Sequence, residues 1–252
     1  MQQMTGAQLL VQQLELHGSK RIFGVPGESY LSVLDALYDS NVLDFVICRQ
    51  ESGAAFMAEA YGKLTGEPGI CMVTRGPGAT NASAGVHVAF QDSTPMILFI
   101  GQVARPMMER EAFQEIDYRQ MFGPMAKWVA QIEDANRIPE FVARAYQTAT
   151  SGRPGPVVLA LPEDMLTDLT KEDLYQPNRA LNPYQKVEAA PQSSKMNDLA
   201  NLLSTAQRPI MIVGGSGWSE GVRQTLEKVC EDNQIALAAS FRCQDYVDNT
   251  HP

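Results

Sequence analysis

One carboxylate and one glycine turn in this sequence have the residue types and spacing of a cofactor pocket. Glu51 stands at the predicted start of a helix rich in small residues, and Gly76-Pro-Gly78 follows a short apolar strand, 70–74. A carboxyl in a poorly solvated site can share a proton with a ligand, and glycine lets the backbone approach a ligand closely. The stretch 49–81 therefore indicates a cofactor site. By itself it fits several cofactors, because a glycine turn at a helix start can also bind phosphate.

Composition and charge narrow the class of protein. The chain has 252 residues and a formal net charge of −9, which argues against nucleic acid as a partner because that partner requires a basic surface. No apolar run approaches the ~20 residues that span a bilayer, and the N-terminal sequence lacks the regions of a signal peptide. The four cysteines are scattered without a CxxC pair, which favours buried thiols over disulfides or a metal site. We expect a cytoplasmic protein that binds neither membrane nor nucleic acid and has no metal ligands of its own.

The alternation of apolar runs and helical patterns predicts the fold class. Strands are predicted at 21–24, 45–48, 70–73, 95–100 and 156–161. A helix is predicted from Gly78 to Ala89, and residues 102–126 are predicted to be irregular. Strands alternating with helices at this spacing are typical of an α/β fold, with a mostly parallel sheet flanked by helices. Ligands of such sheets bind beyond the carboxyl ends of the strands. We therefore expect four segments that follow strands to converge on one edge of the sheet: Val25–Glu28, Glu51, Arg75–Asn81 and Gln102–Glu115.

A change of composition predicts a second domain. Residues 171–192 are rich in Asp, Pro, Asn and Gln, as is typical of a linker. Two helices and two strands follow, at 195–205, 209–213, 220–233 and 235–238. They indicate the beginning of a Rossmann-like α/β domain, and two strands do not close the core of such a domain. We interpret the chain as part of a longer one, with domains 1–170 and 193–252 (the latter incomplete) on either side of the linker.

Three motifs carry a resemblance to a known family. They are Phe23-Gly-Val-Pro-Gly27, Gln50-Glu-Ser-Gly-Ala-Ala-Phe-Met-Ala-Glu-Ala-Tyr-Gly62 and Val73-Thr-Arg-Gly-Pro-Gly-Ala-Thr-Asn81. In this order they resemble the N-terminal, pyrimidine-binding domain of thiamine-diphosphate enzymes, above all the acetolactate synthase large subunit. Further matches at Ala112-Phe-Gln-Glu115 and Ser151-Gly-Arg-Pro-Gly-Pro156 extend the resemblance over essentially the whole chain.

The resemblance implies thiamine diphosphate as the cofactor and a 2-keto acid, with pyruvate as the first candidate, as the substrate. The implied reaction is decarboxylation of the keto acid and transfer of the two-carbon unit to an acceptor. In this family one carboxyl group binds the cofactor's aminopyrimidine ring, which then takes the proton that the thiazolium C2 loses. By resemblance Glu51 is that carboxyl group, and Gln114 lies beside the reacting centre.

The same resemblance assigns the remaining site residues. The cofactor-binding residues that it implies are Val25, Gly27, Glu51, Pro77, Asn81 and Gln114. Phe113 and Glu28 are assigned to the substrate. The family holds Mg2+ with the diphosphate through a third domain, which this chain lacks, and binds the cofactor between two subunits. We therefore expect a homodimer or homotetramer and an inactive chain 1–252.

FAD is left open by the sequence. Arg153 matches a family arginine near the flavin that acetolactate synthases bind in their middle domain. Gly214-Gly-Ser-Gly217 follows an apolar strand, but it lacks the GxGxxG spacing and fits a tight turn equally well.

Two alternatives to an acetolactate synthase stay open. An acidic residue at the position of Glu28 is more typical of keto-acid decarboxylases, which favours a simple decarboxylase or another carboligase of the same superfamily. The other alternative is a non-catalytic regulatory protein built on a pyrimidine domain, with Glu51 as an ordinary acid at a helix start. Retention of Glu51 argues against that alternative, because a retired site needs no carboxyl there.

Overall fold

The structure of the protein is a computed structural model that describes residues 3–171 and 183–250. The chain divides into two compact units, Met1–Val187 and Glu188–Pro252. Half of the predicted linker, residues 172–182, lies outside the described residues. The predicted domain bounds therefore stay a prediction.

The described part of the first unit is a parallel sheet with helices on both faces. Its helices are α1 (Gly6–Leu16), α2 (Leu31–Tyr38), α3 (Glu51–Thr65), α4 (Gly76–Asp92), α5 (Tyr118–Phe122) and α6 (Ile138–Thr150). Its strands are β1 (Arg21–Gly24), β2 (Asp44–Ile47), β3 (Gly69–Val73), β4 (Met96–Gln102), β5 (Trp128–Gln131) and β6 (Pro156–Pro162). The strand order is β2-β1-β3-β4-β6-β5, and every neighbouring pair is parallel. The predicted α/β fold with a mostly parallel sheet is confirmed.

The central strands are buried on both faces, which explains their continuous apolar sequences. Every residue of β3, β4 and β6 is buried, as expected where helices cover both sides of a parallel sheet. Successive side chains alternate between the faces. In β4, Ile97 and Phe99 pack into the cluster that contains α1, α2 and α6, whereas Leu98 and Ile100 pack with α3 and α4. The sheet thus separates two hydrophobic clusters.

Helices α3 and α4 approach each other closely because small residues face one another. The buried residues that they contribute to the cluster are Ala54, Ala55, Ala58, Ala79, Ala82, Val86 and Ala89. A Cβ atom added at Gly85 of α4 would lie 2.6 Å from the Cβ of Ala55 in α3. Real Cβ atoms do not approach that closely, so glycine is required at position 85.

Three predictions about element bounds were wrong. The segment predicted to be irregular, 102–126, contains α5, and the strand β5 that follows it was not predicted. Only Ala130 of the four residues of β5 is buried, so this edge strand leaves too short a hydrophobic pattern to recognise. The third error concerns α4, which was expected to start at Gly78 and starts at Gly76, because proline is tolerated in a first helical turn.

The second unit, described by itself, follows the predicted order of elements. Its elements are α7 (Ser193–Thr205), β7 (Ile210–Val213), α8 (Glu220–Asn233) and β8 (Ala236–Ala239). The two strands pair in parallel, and only Val213 of β7 is buried. Gly215 and Gly217 adopt positive φ angles of 82° and 89°, a conformation that glycine adopts readily, and the chain bends at the glycine segment after β7.

Residues 3–171 and 183–250 contain neither a membrane-spanning helix nor a cluster of metal-binding side chains. In these ranges no helix is long and apolar enough to cross a membrane. The same ranges contain no group of three or more His, Cys, Asp or Glu side chains placed to hold a metal ion.

His17, the residue that follows α1, contacts Tyr184 near the end of the first unit. The Tyr184 N–H donates to Nδ1 of His17 over 3.0 Å, and the imidazole ring stacks on Tyr146 with ring centroids 4.8 Å apart. The hydroxyl of Tyr146 is hydrogen-bonded to Ser19, and that of Tyr184 donates to Glu67. Because Nδ1 accepts a hydrogen bond, the ring is neutral in this arrangement. Burial lowers the pKa of His17.

Replacing Gly85 with alanine should lower the free energy of unfolding of the first unit by about 1–3 kcal/mol, because the added methyl group overpacks the α3–α4 contact. Gly53→Ala in α3 is the matched control, since nothing lies within 4 Å of a Cβ atom there. That control should leave the free energy unchanged or raise it by up to about 1 kcal/mol. Urea unfolding measures both, and equal values for the two variants would contradict close packing at Gly85.

His17 should make the first unit less stable at acidic pH. Since the pKa of His17 is lowered from 6.5 in the folded chain, the unfolded chain takes up this proton first as the pH falls. The stabilising contribution is fully present above pH 6.5 and is lost as the pH falls through the lowered pKa.

Urea unfolding followed by fluorescence, in a Trp218→Phe background that leaves Trp128 as the reporter, measures this effect. Wild-type His17 should lose more stability between pH 7.5 and 5 (approximate limits set by the histidine range) than His17→Gln. The exposed His87→Gln variant is the control and should behave as wild type. Parallel pH profiles for wild type and His17→Gln would rule out the effect.

Candidate functional site

The strand order creates a crevice between the carboxyl ends of β1 and β3. Strand β2 lies on one side of β1, and β3 lies on the other. The chain leaves β1 towards α2, on one face of the sheet, and leaves β3 towards α4, on the opposite face. Such a topological switch point is where open α/β sheets bind ligands. The two loops that line this crevice are Val25–Gly27 and Thr74–Gly76.

The loop after β1 is held in place by hydroxyl groups. The hydroxyl of Tyr30 donates to the Val25 carbonyl, and burial raises the pKa of Tyr30, so that it remains a donor. The hydroxyl oxygens of Ser29 and Thr74 lie 2.9 Å apart, and a Cβ atom at Gly27 would lie 2.5 Å from Cβ of Thr74. Sequence reasoning missed Tyr30, Ser29 and Thr74. The available signal was a cluster of hydroxyl side chains around a glycine turn and a strand end.

Glu51 is the first residue of α3, and its carboxyl group is oriented by α4. Its Oε2 accepts a hydrogen bond from Nδ2 of Asn81 over 2.9 Å. The Ser52 hydroxyl donates to the Asn81 carbonyl over 2.6 Å, so Asn81 is tied to the start of α3 through two bonds. The Glu51 side chain is half-buried, which means that this chain alone shields it only in part.

The other carboxyl oxygen of Glu51 faces the glycine turn. A Cβ atom at Gly78 would lie 3.7 Å from Oε1 of Glu51 and 3.2 Å from the methyl group of Thr74. Among the described residues, Oε1 accepts no hydrogen bond. A ligand in the crevice can therefore form a hydrogen bond with Oε1 of Glu51 and lie close to the backbone of the glycine turn.

The segment that carries Phe113 and Gln114 contacts the start of α4. The Gly76 N–H donates to the Gln114 carbonyl over 2.9 Å, and a Cβ atom at Gly76 would lie 2.8 Å from that oxygen. Gln114 has a φ angle of 66°, and Glu109 and Glu111 have φ angles of 60° and 53°. Side chains rarely adopt this left-handed conformation outside glycine, and residues held in it cluster at functional sites.

The carboxylate of Glu115 stabilises this unusual loop. It accepts hydrogen bonds from the backbone N–H of Glu109 over 2.6 Å and of Ala112 over 3.1 Å. The loop is thus closed on itself, and Phe113, 73% exposed, projects from it. Sequence reasoning placed the loop near the site but gave no signal for its backbone conformation.

The structure brings most of the predicted site residues to this one edge of the sheet. Contacts join Gly27 with Thr74, Glu51 with Asn81 and Gly76 with Gln114. Other predicted residues on the same loops are the half-buried Val25 and the exposed Pro77 and Glu28.

Arg153 does not lie at this edge. Its guanidinium donates to Ser93 Oγ over 2.8 Å and to the Phe90 carbonyl over 3.0 Å. Both acceptors are at the C-terminal end of α4, the opposite end of the helix from Asn81.

The crevice suits a flat ring that carries a basic nitrogen. The carboxyl of Glu51, with Oε1 available, can hold or share a proton with such a nitrogen, and Asn81 fixes its orientation. A Cβ atom at position 27 would clash with Thr74, and one at position 78 would contact Thr74 tightly, so glycine lets both turns pack closely against Thr74 beside the carboxyl group. These features fit an aminopyrimidine ring.

Three curated relatives are acetolactate synthases. The chain is 34% identical over 242 residues to acetolactate synthase isozyme 3 large subunit of Escherichia coli, covering 96% of this chain and 42% of the relative. It is 38% identical over 237 residues to the acetolactate synthase large subunit of Lactococcus lactis, covering 94% and 41%. It is 37% identical over 246 residues to chloroplastic acetolactate synthase 3 of Brassica napus, covering 95% and 37%. The chain thus spans about two fifths of the length of these relatives.

A family match covers the crevice itself. Residues 4–121 match the thiamine pyrophosphate enzyme N-terminal TPP binding domain. That range contains the loop after β1, the Glu51–Asn81 hydrogen bond and the Gln114 segment. Residues 4–121 therefore belong to the N-terminal TPP binding domains of thiamine pyrophosphate enzymes, and nearly the whole chain is related to the acetolactate synthase large subunits.

Proposed function

We propose that this chain supplies the pyrimidine-binding half of the active site of an acetolactate synthase-type enzyme. The enzyme would decarboxylate a 2-keto acid, with pyruvate as the first candidate, and transfer the two-carbon unit to an acceptor. The observation that carries the proposal is the Glu51 carboxyl group, oriented by Asn81 at the switch point of the sheet. The printed names of the relatives support the reaction class.

In this proposal the chain's residues bind the cofactor and hold one proton. Thiamine diphosphate, when bound, supplies a carbon nucleophile for the keto-acid carbonyl and takes the electron pair that decarboxylation releases. Glu51 shares a proton with a pyrimidine ring nitrogen through Oε1, while the hydrogen bond from Asn81 to Oε2 keeps the carboxyl group in one orientation. Gly27 lets the loop after β1 pack closely against Thr74, and the half-buried Val25 and the exposed Pro77 provide apolar walls for the ring.

The residues assigned to the reacting centre lie on the two exposed loops. Gln114 and Phe113 belong to the loop closed by Glu115, and Glu28 belongs to the loop after β1. We assign Gln114 to the reacting centre and the two exposed side chains, Phe113 and Glu28, to the substrate. These roles rest on the family resemblance and on the common position of the loops at the sheet edge.

Mg2+ and the partner subunit belong to the larger site that we propose. Mg2+ would bind with the diphosphate through residues outside this chain, and the cofactor would lie between two subunits of a homodimer or homotetramer. The half-buried state of Glu51 in the single chain supports a further covering element.

FAD is a separate question from the thiamine site. Arg153 would have to give up its hydrogen bonds to Ser93 and Phe90 to contact a flavin. We assign no step of the reaction to FAD.

A keto-acid decarboxylase is the second candidate function. The exposed position of Glu28, at the rim of the crevice, favours it, because an acid there can donate a proton to a product. Incubation of the full-length enzyme with pyruvate alone separates the two functions. Acetolactate supports the first candidate, and free acetaldehyde supports the second.

Glu51→Gln in the full-length enzyme should slow activation of the cofactor by about 10²–10⁴-fold, because an amide cannot exchange the proton that the carboxyl group shares. Hydrogen–deuterium exchange at C2 of bound thiamine diphosphate, followed by NMR, measures this step directly. The control is Glu220→Gln, which removes an acid from the first turn of α8 in the second unit. Exchange as fast as in wild type would exclude the proposed role of Glu51 and would favour the regulatory alternative.

Residues 1–252 alone should bind thiamine diphosphate weakly and form no acetolactate from pyruvate. The reason is that Glu51 is only partly covered and the proposed diphosphate and Mg2+ ligands lie outside the chain. Calorimetric titration and a product assay test this expectation. Acetolactate formed by residues 1–252 would show that the chain holds a complete site.

A further inference from the structure

An ion pair joins the carboxyl ends of β3 and β6. Arg75 follows β3 and is the residue before the first turn of α4, and Glu163 follows β6. The guanidinium of Arg75 donates to Oε2 of Glu163. Strand β4 lies between β3 and β6 in the sheet. The pair therefore bridges the end of β4 over about 10 Å, twice the spacing of neighbouring strands.

Hydrogen bonds connect Glu163 with the loop that carries Gln114. The Glu163 N–H donates to the Gln102 carbonyl over 3.1 Å. The side-chain amide of Gln102, a buried residue at the end of β4, donates to the Ile116 carbonyl over 3.0 Å. Two residues before Ile116, the Gln114 carbonyl accepts the N–H of Gly76, the neighbour of Arg75. The contacts thus form a closed ring from Arg75 through Glu163 and Gln102 back to Gly76.

Arg75 depends on Glu163 for its charge partner. The Arg75 side chain is 12% exposed and that of Glu163 is 40% exposed, so solvent screens the pair less than it screens an ordinary surface pair. Among the residues that the structure describes, the buried Nε of Arg75 and the buried hydroxyl of Tyr118 have no hydrogen-bond partner. Loss of Glu163 would leave a largely buried cation without compensation.

We propose that the Arg75–Glu163 pair is a positioning device for the thiamine site. By fixing Arg75, it sets the direction of the first turn of α4, which carries Pro77 and, one turn later, Asn81. Through Gln102 it ties that turn to the loop of Gln114. Neither charged residue contacts the cofactor in this proposal, so both are positioning residues. The expected effect on thiamine diphosphate binding rests on the proposed function. The expected effect on the order of the first turn of α4 does not.

The main test replaces Glu163 with glutamine in the full-length protein and has two readouts. Amide hydrogen exchange of Gly76 and of residues 78–81 should become about tenfold faster or more, the effect of losing one charge-assisted hydrogen bond. Exchange of residues 86–89, deeper in α4, should stay as in wild type. The dissociation constant for thiamine diphosphate should rise about tenfold, while kcat at saturating cofactor changes less than twofold.

Three further variants separate positioning from a general loss of structure. The charge swap Arg75→Glu with Glu163→Arg should recover most of the slow exchange and of the cofactor affinity, because it restores the attraction across β4. Asp44→Asn breaks the exposed Arg21–Asp44 pair at the opposite edge of the sheet, and it should change neither readout. If Glu163→Gln does not fold, Glu163→Asp keeps the charge at a shorter reach and should show a smaller change in the same direction.

The outcomes distinguish this proposal from the proposed function. Unchanged exchange of Gly76 and of residues 78–81 in Glu163→Gln overturns the positioning role, and so does faster exchange with unchanged cofactor affinity. A wild-type protein that binds no thiamine diphosphate refutes the proposed function and the expected effect on thiamine diphosphate binding. In that case the exchange readout still decides whether the pair orders the start of α4.

Discussion

The close approach of α3 and α4 is the constraint on which the candidate site depends. Alanine and glycine at the contact let the two helices pack with almost no side-chain spacer, as at Gly85 and Ala55. That distance brings Asn81 of α4 within 2.9 Å of Glu51 at the start of α3. Larger residues at the contact would move the helices apart and separate the amide from the carboxyl group. The same small residues of α3 and α4 are therefore required both by the packing of the core and by the geometry of the site.

The order of the strands decides what this helix pair faces. Because the chain leaves β1 and β3 towards opposite faces of the sheet, Glu51 lies beside a topological switch point, the place where open α/β sheets bind ligands. Tyr30, Ser29 and Thr74 then fix the crevice walls through hydroxyl contacts.

Local sequence patterns predicted the parts of the structure that depend on neighbours in the chain. Apolar runs identified five of the six strands in the described sheet, and parallel strands imply a shared edge for the residues that follow them. Glu51 was found because it stands at a helix start among small residues. Contacts between distant residues left no such signal. Arg75 and Glu163 are 88 positions apart. The left-handed backbone at Gln114 lies in a loop held by Glu115 through the N–H groups of Glu109 and Ala112 and by Gly76 through the Gln114 carbonyl, and the residue type of Gln114 does not indicate it.

The loop closed by Glu115 has a consequence for how this protein can diverge. The Glu115 carboxylate holds the backbone around Phe113 through hydrogen bonds within the loop, and the loop contacts α4 at Gly76 through the Gln114 carbonyl. Exposed loops on a rigid scaffold tolerate replacement better than the scaffold does. An exposed side chain of this loop, such as Phe113, can therefore be exchanged without disturbing the hydrogen bond between Glu51 and Asn81.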